Sequence, residues 1–131
     1  MFGTQDGSVS MVSVPANPKE MTLNAKRIID LQSAVSCVKI PNEGIAICGN
    51  SDGEIYVVDL VSGKSVRDFQ AHNMAINDML IHRDQFFTCS SDDLVRQWNI
   101  SNCSVMKVFV GHCIYFCLNF SETQYLNQLI L

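Results

Sequence analysis

Three stretches of the chain are written to one pattern. Residues 3–13, 49–59 and 89–99 each open on a small residue and reach an aspartate. A glycine or a second aspartate follows, and the stretch then continues as an alternating, β-prone run. The aspartates are Asp6, Asp52 and Asp92, so the pattern recurs after 46 and then 40 residues. A recurrence of this length marks a repeat architecture, in which each unit buries its apolar face against the next. Asp-Gly between two alternating apolar runs is a strong hairpin signal, which places all three aspartates at turns between strands.

The intervening residues supply the rest of each unit. Residues 35–40 alternate, residues 45–48 are apolar and β-prone, and 41–44 read as the turn between them. Residues 55–60 form a third run, 61–64 turn the chain, and 65–69 form the fourth. The next period repeats this order with runs at 76–81, 86–90, 95–100 and 104–109. Helical periodicity is weak. Residues 18–30 alone admit a helix, and they read better as a loop followed by a strand at 28–31. The longer first period holds its extra residues in the Pro-containing polar stretch 15–20. Four strands in a period of about 40–45 residues is the size of a propeller blade. The predicted fold is therefore all-β, with consecutive four-stranded antiparallel blades in an incomplete, open propeller. A partial blade takes 1–31, whole blades take 32–71 and 72–111, and 112–131 form an atypical tail or the first strand of a further blade. An irregular β-sandwich is the alternative, because it also uses short, closely spaced strands.

Composition narrows the function. Hydrophobic residues make up 47% of the chain and charged residues 17%, which suits a packed core rather than disorder. The net charge of −4, with basic residues scattered, argues against nucleic acid as a partner. No apolar run approaches the roughly 18 residues of a membrane span, and the N-terminus shows no signal-peptide pattern, so no membrane insertion is expected. A cytoplasmic chain is expected, with the nucleus as the alternative. In such a compartment Cys37, Cys48, Cys89, Cys103, Cys113 and Cys117 read as free thiols rather than a disulfide framework. The cluster His112-Cys113-x3-Cys117 lacks the second ligand pair of a zinc site. No nucleophile elbow, phosphate loop or His-Glu-x-x-His occurs, and Asp92-Asp93 reads as a solvated turn pair. Neither catalysis nor a cofactor is expected.

With the strands placed, the chain resembles the WD-repeat β-propeller family. Gly111-His112, the variant Ala71-His72, and Trp98-Asn99 in place of Trp-Asp carry the resemblance, which covers about residues 2–112. It implies a hydrogen-bonded blade brace of His72, Ser90, Asp92 and Trp98, with the Ser90 hydroxyl linking imidazole to indole. The preceding repeat has Asn50, Val58 and Gln32-Ser33-Ala34 at the corresponding places, so no brace is expected there. The resemblance also implies a non-catalytic protein-interaction scaffold that binds other proteins or peptides. The partner-facing positions it implies are Ser51, Ala75, Asn77 and Ser91, with Tyr115 and Phe116 as aromatic anchors or as core residues of a last strand. A ubiquitin-ligase adaptor would show Trp-Asp-x-Arg, and a phosphoinositide binder would show clustered cations. Trp98-Asn99-Ile100-Ser101 and the scattered basic residues show neither.

Two full periods and part of a third fall short of the roughly four to eight blades that close a propeller. The sequence therefore implies a fragment, a splice form or a partial gene model of a longer propeller. A truncated isoform without independent function is the alternative to a scaffold. Open blade edges imply self-association.

Overall fold

Alternating and β-branched runs punctuated by Asp-Gly and Ser-Gly turns dictate short antiparallel strands. A computed structural model describes residues 2–13 and 24–110, and all of its regular elements are strands. The first sheet holds β1 (Phe2–Gly3), β2 (Ser8–Ser13) and β3 (Asn24–Asp30). The second holds β4 (Val35–Asn42), β5 (Ile45–Asn50), β6 (Glu54–Asp59) and β7 (Lys64–Gln70). The third holds β8 (Ile76–His82), β9 (Gln85–Ser90), β10 (Leu94–Asn99) and β11 (Val105–Val110). Within each sheet the strands pair antiparallel in chain order. The Greek-key crossings of a β-sandwich are absent among the described residues. The sheets are propeller blades stacked face to face, one partial and two complete, in an unclosed set.

The first sheet differs from expectation at one point. Its last strand starts at Asn24 rather than near Ile28, because β2 offers a pairing partner along its whole length, from Ser8 opposite Asp30 to Ser13 opposite Asn24. The 112–131 tail lies outside the described residues, as do Tyr115 and Phe116.

Burial repeats with the period. β5 and β9 share one pattern, in which only the first residue is half-buried, and β6 and β10 share another. These central strands are largely buried, and the polar Asn50, Thr88, Ser90 and Gln97 are buried along with the apolar residues. β7 and β11 are largely exposed and form outer edges. One apolar cluster lies between the first and second sheets and includes Val9, Leu31, Cys48 and Val58. A larger one, between the second and third, includes Ile47, Ile55, Ile76, Met79, Phe86 and Trp98.

Two glycine positions set this stacking. A Cβ on Gly49 would lie 2.8 Å from Cys37 Sγ and 3.0 Å from Ile76 Cγ2, so the bare backbone lets β8 close on β5. Gly53 takes φ +83° in the β5–β6 turn, the same left-handed position that Asp93 takes at φ +64° in the β9–β10 turn. Glycine adopts that conformation freely and aspartate tolerates it better than most residues.

Candidate functional site

A largely buried polar group joins the second and third sheets. His72 lies between β7 and β8 and is 1% exposed. Its Nδ1 stands 3.1 Å from Asp92 Oδ2, at the β9–β10 turn. Its Nε2 stands 2.6 Å from Thr88 Oγ1, on β9. Trp98 Nε1, on β10, donates to the same Thr88 oxygen at 2.9 Å. Donors and acceptors balance in one arrangement. Indole N–H donates to the threonine oxygen, the threonine hydroxyl donates to imidazole Nε2, and imidazole Nδ1–H donates to Asp92. That arrangement requires a neutral imidazole. Burial holds the His72 pKa below its ordinary value, against the opposing pull of Asp92. Burial would raise the Asp92 pKa, but the N–H of Asn73, the His72 ring and the N–H of Leu94 outweigh it and hold the carboxyl below the usual range.

Thr88, not Ser90, is the hydroxyl that links imidazole to indole. The two residues share a face of β9, two positions apart, and both are fully buried. Register decides between them. Thr88 lies opposite Arg96, two pairs along from Trp98 opposite Phe86 and so on the same face, whereas Ser90 lies at the turn. There Ser90 Oγ donates to Met74 O at 3.1 Å and accepts from Asp92 N at 3.2 Å. Ser90 shapes the loop that carries Asp92 and is not a member of the link.

Trp98 also reaches across the junction. Its ring packs against Phe69 of β7 at a centroid distance of 5.1 Å and against Phe86 of β9 at 6.0 Å. The brace therefore fixes the outer strand of one blade against the centre of the next.

The junction between the first and second sheets is built without this brace. Leu31 N donates to Gly7 O at 2.6 Å, as Ala71 N donates to Gly53 O at 2.9 Å. Leu31-Gln32 therefore takes the place of Ala71-His72, one position earlier than the segment Gln32-Ser33-Ala34 suggests. Gln32 is exposed, whereas Leu31 packs with Cys48 and Val58, which stand where Thr88 and Trp98 stand in the next blade. The three turns differ in the same spirit. Asp6 and Asp92 accept backbone N–H groups in their own turns, whereas in the β5–β6 turn Asn50 Oδ1 accepts from Asp52 N and Glu54 N. Hydrogen bonds from Thr4 and Ser8 hold the exposed Asp6 carboxyl down at about 2.

The expected partner-facing residues gather at the end formed by the β5–β6 and β9–β10 turns. Ser51, Asn77 and Ser91 are exposed and Ala75 is half-buried. Ser51 N donates to Ala34 O, and Ser91 N makes the equivalent bond to Ala75 O. Ser33 and Ser51 share a 2.7 Å hydroxyl contact, and Ser91 Oγ donates to Asn77 Oδ1 at 3.1 Å. Met74 stands beside them, 53% exposed.

Reactive groups are muted. Cys37, Cys48, Cys89 and Cys103 are free thiols, and burial pushes Cys37 and Cys48 up to about 12. Among the described residues no cluster of His, Cys, Asp and Glu could hold a metal ion. Nor do the described residues form any helix long and apolar enough to cross a membrane.

Sheet order, blade period and brace together define a set of β-propeller blades. A scan against protein-family models finds no match. A stretch of 63 residues, 47% of the chain, is 29% identical to the WD repeat-containing protein 55 homolog of Dictyostelium discoideum and spans 15% of that protein. The crystal structure of the RRP9 WD40 repeats superposes with a TM-score of 0.61 at 17% identity, over 65% of this chain and 28% of that one. Two computationally designed proteins superpose with TM-scores of 0.65. Ika8 does so at 18% identity over 85% of this chain and 33% of its own, and Ika4 at 17% over 84% and 65%. The chain thus resembles the WD-repeat family and carries consecutive WD-repeat-type blades of an incomplete propeller.

Proposed function

We propose that these blades serve as a non-catalytic protein-interaction scaffold, as a section of a larger propeller or assembly. One observation carries the reading. The groups that could perform chemistry, His72, Asp92 and Thr88, bond one another inside a blade junction, while the exposed turn end offers hydroxyls, an amide and Met74. A saturated internal network braces the fold, and function on such a fold resides in its exposed sites. The WD-repeat resemblance supports the same conclusion.

The test is photo-crosslinking from single positions. A benzophenone side chain at Asn77 or Ser91 is expected to capture a protein that the same group at Ser62, at the other end of the blades, does not. The captured protein, purified, should bind the parent chain and lose at least about tenfold in affinity toward Asn77→Arg/Ser91→Arg, the size of a substantial interface contact. Identical adducts from both ends, or equal affinity for the double variant, would overturn the reading.

Self-association has a specific feature behind it. The outer strand β11 exposes Val105, Met106, Val108 and Val110 at 51%, 46%, 50% and 71%. β7, the matching edge of the second sheet, carries Lys64, Arg67 and Asp68 instead. Charges on an edge strand discourage edge-to-edge pairing, and β11 has only Lys107. Light scattering should report a larger mass for the parent chain than for Val108→Lys; equal masses would remove this reading.

A further inference from the structure

A cleft of about 820 Å³ opens between the second and third sheets, at the end opposite Ser51 and Ser91. The facing ends of β4 and β5, the strand β7, and the β8–β9 and β10–β11 turns meet there. Its floor is aliphatic. Val57 is buried, Ile45 and Ile100 are half-buried, and Val66 is left 62% exposed at the rim. Two guanidinium groups line it. Arg67, on β7, donates from Nη1 to the backbone carbonyl of Asn102 and so reaches across from one blade to the next. Arg83 sits in the β8–β9 turn at φ +55°, exposed. The single carboxylate among the lining residues is Asp84. A local excess of positive charge therefore faces an apolar floor, in a chain whose net charge is −4.

We propose that this cleft binds a short extended segment of a partner protein, made of aliphatic residues interrupted by an acidic one. Each part of the segment has a counterpart. Aliphatic side chains remove Ile45, Val57 and Ile100 from water. The carboxylate meets a planar fork of N–H donors, which matches carboxylate geometry and gives a charge-assisted bond. Arg67 is already tethered at one nitrogen, so little side-chain freedom is lost when its remaining donors engage. The volume lies in the upper part of the roughly 300–1,000 Å³ of ligand clefts, enough for several residues. This surface does not depend on the turn end carrying Ser51 and Ser91, and the experiment below is indifferent to whether that end binds anything.

The probe is a fluorescein-labelled octapeptide with two aspartates among four leucines and a glycine at each end. Anisotropy is read on the full chain at low ionic strength. Saturable binding is expected, and the same peptide with asparagine for aspartate should bind about tenfold weaker, the order of one charge-assisted hydrogen bond. Arg83→Asn should lose a similar factor, since asparagine tolerates the left-handed turn. Arg27→Asn, which removes equal charge from the first sheet, should leave binding unchanged. The difference between the peptides should vanish at about 0.5 M salt, where exposed charges are screened. Equal affinity for both peptides, parental affinity in Arg83→Asn, or no saturable binding would each overturn the proposal. The peptide pair keeps the test independent of how any variant folds.

Discussion

The two blade junctions solve one packing problem with opposite chemistry. Between the second and third sheets, imidazole, hydroxyl and indole form a continuous hydrogen-bonded chain, and Phe86 stacks on Trp98. Between the first and second, Leu31, Cys48 and Val58 fill the corresponding space, with Ala46 standing where Phe86 stands. The backbone frame is the same in both. Glycines sit at matching places, and the Leu31 and Ala71 N–H groups close onto Gly7 and Gly53 in the same way. Blade stacking therefore needs a filled junction and not a polar one. The polar version carries directionality, because a hydrogen-bonded chain of fixed donors and acceptors accepts one register, whereas an apolar cluster is satisfied by volume.

The largest break in this comparison is truncation at the matching positions. Trp98→Ala should lower unfolding free energy by about 3–5 kcal/mol, because it removes a buried ring contacting both Phe69 and Phe86. Val58→Ala should cost about 2 kcal/mol, two buried carbons plus a small cavity. Urea titration of both variants measures the gap, and equal losses would mean that the two junctions are energetically alike.

Polarity is the next contrast. Thr88→Val keeps the shape but strands the Trp98 N–H and His72 Nε2 in a dry site, with an expected loss of about 2–3 kcal/mol. Cys48→Val, at the matching place, should change stability by less than about 1 kcal/mol. Ser90→Ala should fall between them. A loss from Ser90→Ala exceeding that from Thr88→Val would return the linking role to Ser90.

The smallest effect is on pH dependence. His72 is held below its ordinary 6.5, so the folded chain binds fewer protons than the unfolded one. Its contribution is complete above that value and is lost as pH falls below it toward the folded pKa. The lowered Asp92 pKa acts in the same direction in a lower window, beneath its ordinary 3.8. Melting temperature should therefore fall from pH 7.5 to pH 5.5, and His72→Gln should flatten that slope. An unchanged slope would show that the imidazole does not couple protonation to folding.

The period and strand order were legible because turn chemistry and alternation recur at fixed spacing around Asp6, Asp52 and Asp92. The brace was legible at His72, Asp92 and Trp98, which stand in recognisable dipeptides and turns. Thr88 was not. Two hydroxyl residues on one face of one strand are equivalent until the pairing of β9 with β10 is known. Leu31 was missed for a related reason. A shift of 40 residues carries Ala71-His72 onto Leu31-Gln32, but neither residue of that dipeptide is kept there, so no residue type marks the junction. The cleft at Arg67 and Arg83 left no linear trace, since its walls come from strands and turns of two sheets that are distant in sequence and adjacent only after the sheets stack.

Trp98 is the chain's single tryptophan, and it lies wholly within one of the two junctions. Its emission therefore observes the contact between the second and third sheets and is blind to the contact between the first and second. Far-ultraviolet dichroism averages over all three sheets. Superimposed melts from the two signals would identify one cooperative unit, whereas an earlier dichroic transition would show the apolar junction opening while the braced one still holds. The molecule thus carries its own optical probe for whether neighbouring blades unfold together or in turn.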